Sequence, residues 1–217
     1  MRCDPLFVKD MLRLYAVTDR RWARDRGLLE QVEQAILGGV TCVQLREKEL
    51  EKQAFYEEAV QMRELCSRYR VPLIINDDVE IALACGADGV HVGASDMEIS
   101  EIRKRAGDGL MIGATAKTVE QAIRAQAAGA DYLGSGAVFG TATKLDAKPM
   151  TMELLREITS SVSIPVVAIG GIDGENIARL KGTGIAGAAV VSGIFAQAHI
   201  ECACRALREQ IDSIVIG

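Results

Sequence analysis

The chain has 217 residues, 49% of them hydrophobic, with 25 Lys and Arg against 30 Asp and Glu for a net charge of −5. That is enough for one domain with a sizeable core and too apolar for a disordered chain. The acidic balance gives non-specific nucleic-acid binding no electrostatic support, and no apolar run approaches the ~18 residues of a membrane span. Residues 1–12 include Asp4, Lys9 and Asp10, a poor signal-peptide core. The six cysteines (Cys3, Cys42, Cys66, Cys85, Cys202 and Cys204) form no CxxC pair and read as small hydrophobes in a reducing compartment. A cytoplasmic protein with no nucleic-acid or membrane partner is expected; a homodimer is compatible with the sequence.

In chain order, a strand over residues 14–19 precedes a helical pattern over 27–37, and 42–48 reads as the second strand. Its residues alternate, so Gln44, Arg46 and Lys48 share one face while Val43, Leu45 and Glu47 share the other. The apolar pair suits a face covered by helices, which turns the polar three inward. Buried cations cost several kcal/mol or more without a counter-charge, so something anionic is expected at the mouth of the fold. The helical pattern over 51–69 sets Ala54, Val60, Met62 and Leu65 against Glu57, Glu58 and Arg63.

Further strands are expected over 72–77, 110–115 and 165–171, two of them opening at a proline, where no ladder N–H is lost. The stretches 38–44, 86–92, 129–134 and 184–190 share a pattern: Gly or a small residue closes a helix, a short link follows, then an apolar strand. Their spacing of roughly 43 to 55 residues is about two βα units. Helical patterns also cover 79–85, 98–105, 119–128, 151–159, 174–181 and 200–214. Eight strands, each followed by a helix, point to an α/β TIM (β/α)8 barrel, with residues 1–217 as a single domain. An open doubly wound sheet usually carries a Gly-rich turn after its first strand, and residues 15–19 have none.

In such a barrel chemistry collects at the C-terminal strand ends. Here these ends fall into two groups. Strands seven and eight run into Gly170-Gly171 and Ser192-Gly193, bare backbone that lets N–H groups approach a phosphate; alternatively these glycines only make tight turns. Strands two to six supply Arg46, Lys48, Asp77, Asp96 and Lys144. Mg²⁺ takes one or two carboxylates, keeps waters and shares phosphate oxygens, so Asp77 and Asp96 with these cations suit a metal-bound diphosphate. Singly, Asp77, Asp78 and Asp96 could equally be helix caps; beside Arg46 and Lys48 the ligand reading is favoured. His91 and His199, the only histidines, read as packed or surface residues without a metal-ligand neighbour.

These motifs resemble the thiamine-phosphate synthase family over nearly the whole chain. Tyr15-Ala16-Val17-Thr18-Asp19 is similar to its first strand, and Val43-Gln44-Leu45-Arg46-Glu47-Lys48 to its most recognisable motif. Ile75-Asn76-Asp77-Asp78, Gly89-Val90-His91-Val92-Gly93 followed by Asp96-Met97, Thr141-Ala142-Thr143-Lys144 and Ile169-Gly170-Gly171-Ile172 follow in register. The resemblance implies a hydroxymethylpyrimidine diphosphate held by Gln44, Arg46, Lys48, Asn76, Thr115 and Lys144, with Mg²⁺ on Asp77 and Asp96. It implies a thiazole phosphate held by Thr141, Thr143, Gly171, Val191 and Ser192. Pyrophosphate would be displaced by the thiazole nitrogen after a pyrimidine cation forms, with Arg46, Lys48 and Lys144 as the catalytic cations. Such a step needs charge stabilisation and positioning more than acid–base groups.

The chain departs from the family at Ala94 (usually Gln), Lys117 (often His), and Ala137 and Gly140 (often Pro). These positions bear on affinity rather than reaction type, and Gly140 widens the backbone choice of its loop. A thiazole tautomerase on the same scaffold would use a histidine at position 117 and would not need the Arg46/Lys48 and Asp77/Asp96 set. A non-catalytic phosphate sensor would keep the glycines but has no use for a diphosphate clamp.

Overall fold

The eight strands are only four or five residues long, so none can bury both faces unless the sheet curls on itself. In the computed structural model, which describes residues 4–23, 27–93, 96–140 and 149–215, it does. Strands β1 (Leu14–Val17), β2 (Cys42–Leu45), β3 (Leu73–Asn76), β4 (Gly89–Val92), β5 (Met111–Thr115), β6 (Tyr132–Gly136), β7 (Val166–Ile169) and β8 (Gly187–Val190) form a closed barrel in sequence order. Every neighbouring pair is parallel, including β8 with β1, where Tyr15 lies opposite Ala189. The expected TIM barrel is the observed fold.

Alternation sorts the side chains into two apolar bodies. Val43, Leu45, Leu73, Ile75, Val90, Ile112, Leu133 and Val166 point outward under the helices. Tyr15, Val17, Cys42, Ile74, Met111, Tyr132, Val167 and Ala189 fill the barrel. The inward parity expected for Gln44 holds, since its amide bonds to Tyr15 inside the barrel.

Around the barrel run α1 (Pro5–Met11), α2 (Leu28–Leu37), α3 (Lys52–Tyr69), α4 (Val79–Ala84), α5 (Ile99–Ala106), α6 (Val119–Ala128), α7 (Met152–Ser161), α8 (Ser192–Phe195) and α9 (Ile200–Val215). Asp78, Thr118 and Thr151 cap α4, α6 and α7, each accepting a backbone N–H three residues on. None of the described helices is long and apolar enough to cross a membrane.

Four of the described elements differ from the sequence pattern, among them the short α8 and a 3-10 turn at Arg20–Trp22. Helix α1 was not expected; Asp4 caps it, and Val8, Met11 and Leu12 pack with the barrel interior at its N-terminal end. The helix expected over 174–181 is reduced to a single 3-10 turn, Ile177–Leu180. Asp173 Oδ1 accepts the N–H groups of Glu175 and Asn176, and Gly182 and Gly184 take positive φ just beyond, so a turn wins at both ends. With α8 only four residues long, strands β7 and β8 are followed by weak helix dipoles. An anion there would depend on individual N–H and hydroxyl groups rather than on a long helix.

Barrel closure leaves no room at Gly187 of β8, where a Cβ would overlap the carbonyl oxygen of Leu12. Gly187→Ala should therefore lower stability by about 1–3 kcal/mol or more, the cost of overpacking against backbone that cannot move aside. Urea unfolding would register this as a lower midpoint at unchanged slope; an unchanged midpoint would show that this seam is not tightly closed.

Candidate active site

The C-terminal end of β1 sets the position of the strand beside it. Thr18 is fully buried; its N–H donates to Gln44 O at 2.9 Å, and its Oγ1 accepts the Arg46 N–H at 2.9 Å. This carries the extended course of β2 one residue past the ladder and brings Arg46 to the barrel rim.

Neither acid that might have held Arg46 as a purely structural cation does so. Glu47 is engaged by Arg20, whose Nε donates to it at 3.1 Å and whose Nη2 donates to Glu58 at 2.6 Å. Burial pushes the Glu47 carboxyl above its ordinary value, against the pull of Arg20. Asp78 spends Oδ1 on the N–H of Ile81 as the cap of α4. Among the described residues Arg46 forms no ion pair, although it acts weakly on Asp19. Arg21 is the main cause that holds the Asp19 carboxyl below the usual range, with Arg46 a minor contributor.

The three aspartates divide between capping and open geometry. Asp96 Oδ2 accepts the N–H of Gly93 at 2.6 Å, closing the turn after β4 and leaving Oδ1. Asp77 caps nothing. It pairs with Lys48, and its backbone sits at φ +64°, a left-handed conformation that Asp tolerates better than most residues. That geometry turns the chain between Asn76, last in β3, and the cap at Asp78. Because strand order follows sequence, β2, β3 and β4 place Arg46, Lys48, Asp77 and Asp96 along one continuous arc of the rim.

The other arc is built from glycine. Gly170 and Gly171 take φ +103° and +66°, and a Cβ on Gly171 would overlap the carbonyl oxygen of Gly140. Asn176 holds the Gly171 carbonyl through its Nδ2 at 2.8 Å. Val191 and exposed Ser192 follow on neighbouring β8, and Gly193 packs against Ile172 O. The loop after β6 begins pinned, with the N–H groups of Val138 and Phe139 on Ile169 O and Gly170 O, both at 3.0 Å. Gly140 takes φ +76°, which proline cannot adopt, so glycine there meets a geometric need as far as the described residues run. Thr141, Thr143, Lys144 and Ala94 lie outside the described residues. Lys117 is exposed on the rim after β5.

Two residues not singled out in the sequence, Tyr15 and Tyr132, link others that were. Gln44 Nε2 donates to Tyr15 Oη at 2.7 Å, Tyr15 Oη meets Tyr132 Oη at 2.8 Å, Tyr132 Oη meets His91 Nδ1 at 3.2 Å, and His91 Nε2 meets Thr115 Oγ1 at 3.2 Å. His91, read as a packed residue, is thus part of a hydrogen-bonded chain joining β2 to β5. The alternation rule used for Gln44 also places Tyr15, His91 and Tyr132 inward, but it cannot tell which inward residues meet across the barrel.

A carboxylate arc beside cations suits a hard divalent ion. Mg²⁺ needs only one or two protein carboxylates when phosphate oxygens and water complete its shell, and Asp77 and Asp96 provide that number. Among the described residues no cluster of three or more His, Cys, Asp or Glu could hold a metal ion by itself.

Comparison with known proteins identifies the family. The family model described as thiamine monophosphate synthase matches residues 14–194. A thiamine-phosphate synthase from Ruminiclostridium cellulolyticum is 52% identical over 90% of this chain and 93% of its own length, and one from Clostridium botulinum is 48% identical over 93% and 94%. The solved structure of a thiamine phosphate pyrophosphorylase from Pyrococcus furiosus superposes with a TM-score of 0.88 at 38% identity, covering 95% of this chain and 98% of that one. Sequence match and fold agree: this chain belongs to the thiamine monophosphate synthase family.

Proposed function

We propose that the protein condenses a hydroxymethylpyrimidine diphosphate with a hydroxyethylthiazole phosphate, or its carboxylate, to give thiamine phosphate and pyrophosphate. The observation that carries this reading is the division of the rim. Cations and carboxylates at the ends of β2–β4 suit one substrate's diphosphate, while bare glycines and a hydroxyl from β7–β8 suit the other's single phosphate. A tautomerase would need a histidine where exposed Lys117 stands. The described cysteines are free thiols, which supports a reducing, cytoplasmic setting.

The reaction breaks the bond between the pyrimidine methylene carbon and the diphosphate oxygen; the departing pyrophosphate keeps the electron pair. The thiazole nitrogen then supplies the pair for the new carbon–nitrogen bond. Arg46 and Lys48, with Lys144, stabilise negative charge on the leaving group. Gln44, Asn76 and Thr115 hold the pyrimidine over the barrel interior. Gly171, Val191 and Ser192, with Thr141 and Thr143, hold the thiazole phosphate so that its nitrogen faces the cation. Asp77 and Asp96 would hold Mg²⁺, which when bound supplies Lewis-acid neutralisation of the diphosphate. The defining assay combines both substrates with Mg²⁺ and follows thiamine phosphate and pyrophosphate.

Asp77→Asn should lower kcat/KM by at least about tenfold, or ~1.4 kcal/mol of transition-state stabilisation. Asparagine accepts the left-handed backbone at this position, so the variant tests charge rather than conformation. Excess EDTA should abolish turnover of the unaltered protein, and full activity in EDTA would remove the metal assignment.

Arg46→Met should leave the melting temperature of the ligand-free protein unchanged or slightly raised, because no ion pair among the described residues is broken. It should weaken binding of the pyrimidine diphosphate by about 1.5–3 kcal/mol, the scale of a charge-assisted hydrogen bond. A large drop in melting temperature with unchanged calorimetric affinity would make Arg46 structural instead.

A further inference from the structure

A line of hydrogen-bonded side chains crosses the barrel interior, and that line has a direction. Each phenol has a single proton. Because Tyr15 accepts from Gln44 Nε2 at 2.7 Å, its own proton is available for Tyr132, 2.8 Å away. Tyr132 can then donate to His91 Nδ1, which leaves the imidazole proton on Nε2, facing Thr115 Oγ1 at 3.2 Å. The Thr115 hydroxyl in turn keeps its own proton for a ligand. Reversing any one link reverses every other: a flipped Gln44 amide would demand the opposite imidazole tautomer and make Thr115 an acceptor toward the ligand.

The chain is built in rather than incidental. Tyr15 and Tyr132 are buried to 1% and 0% exposure, where an unmade hydrogen bond is costly. Burial raises both phenols well above their ordinary value, so each keeps its proton throughout the working range. Two glycines make room for it. A Cβ at Gly113 would overlap the Tyr132 ring and its hydroxyl and lie 2.5 Å from His91 Nδ1, and one at Gly134 would lie 3.1 Å from His91 Cε1. Neither glycine takes a positive φ, so close approach by these side chains is the reason for both.

We propose that Tyr15, Tyr132 and His91 are positioning residues that hold the Gln44 amide with Oε1 as the acceptor offered to substrate, and so select an aminopyrimidine over its oxo counterpart. The inference rests on the synthase reading, because it takes the pyrimidine to lie over Gln44 and Thr115. An amino group presents a donor to Oε1 and is accepted. An oxo group presents a second acceptor, and the amide cannot turn to meet it without reversing the whole chain. Sites that fix a buried polar group in this way discriminate far better than apolar pockets.

The test uses Tyr132→Phe and Tyr15→Phe, which keep ring volume and remove one link each. Calorimetry with Mg²⁺ and no thiazole phosphate would compare the aminopyrimidine diphosphate, the matching oxopyrimidine diphosphate and inorganic pyrophosphate. Wild-type protein should prefer the amino compound, and each variant should shrink that preference by about tenfold or more, with pyrophosphate affinity unchanged. Undiminished preference in folded variants would overturn the inference, as would equal weakening of both pyrimidines with a fall in melting temperature, the signature of a scaffold role. A wild type that binds both pyrimidines equally well would also overturn it. Failure of the synthase reading looks different: there, wild type would bind neither pyrimidine compound better than inorganic pyrophosphate.

Discussion

Tyr15 and Tyr132 meet hydroxyl to hydroxyl inside the barrel because eight short strands leave an interior that must be filled and cannot be wet. Large side chains do the filling, and any polar atom they carry must find a partner there. Two phenols satisfy each other, then Gln44 on one side and His91 on the other. The floor of the site is therefore set by the same packing that closes the barrel. Neither can be altered alone.

Above this floor, charge is arranged by what each acid is already committed to. Glu47 holds Arg20, Asp19 holds Arg21 and Asp78 caps α4, so these three carboxylates are engaged elsewhere. The cation that remains at the rim is thus an outcome of local bonding, with Asp19 offering it only a minor attraction. Lys48 and Asp77 form a partly exposed pair, the kind whose net worth to stability is small because water screens it. A weak pair at a rim is easily exchanged for other partners.

The opposite arc relies on backbone. Gly170 and Gly171 leave no room for a Cβ, and the 3-10 turn and four-residue helix that follow these strands add little dipole. Recognition of a phosphate there would come from close approach of N–H groups, which glycine allows by lacking a Cβ. The two arcs thus use different physics, fixed side-chain charge on one and bare main chain on the other.

The amino-acid sequence by itself determined the eight-fold alternation, the inward parity of Gln44, and the split of strand ends into charged and glycine-rich groups, although β2 stops at Leu45 and leaves Lys48 exposed beyond it. These are local properties: strand period, helix-closing glycines and prolines at strand starts act within a few residues, so a pattern can be read without a partner. It also pointed to a family, through motifs that run in register along most of the chain. Helix α1 was not legible because its seven residues are too short for a periodic signal, and their packing against the barrel end is tertiary. The turn at Ile177–Leu180 was misread because the side chain of Asp173 competes with a helix in a way composition does not show. Which acid belongs to which base, with Glu47 to Arg20 and Asp77 to Lys48, was decided only by the fold. So was the chain from Gln44 through Tyr15, Tyr132 and His91 to Thr115, because it joins residues 29, 117, 41 and 24 positions apart. Such contacts exist only once a closed sheet brings distant strands face to face, and no local rule encodes which inward residues will meet.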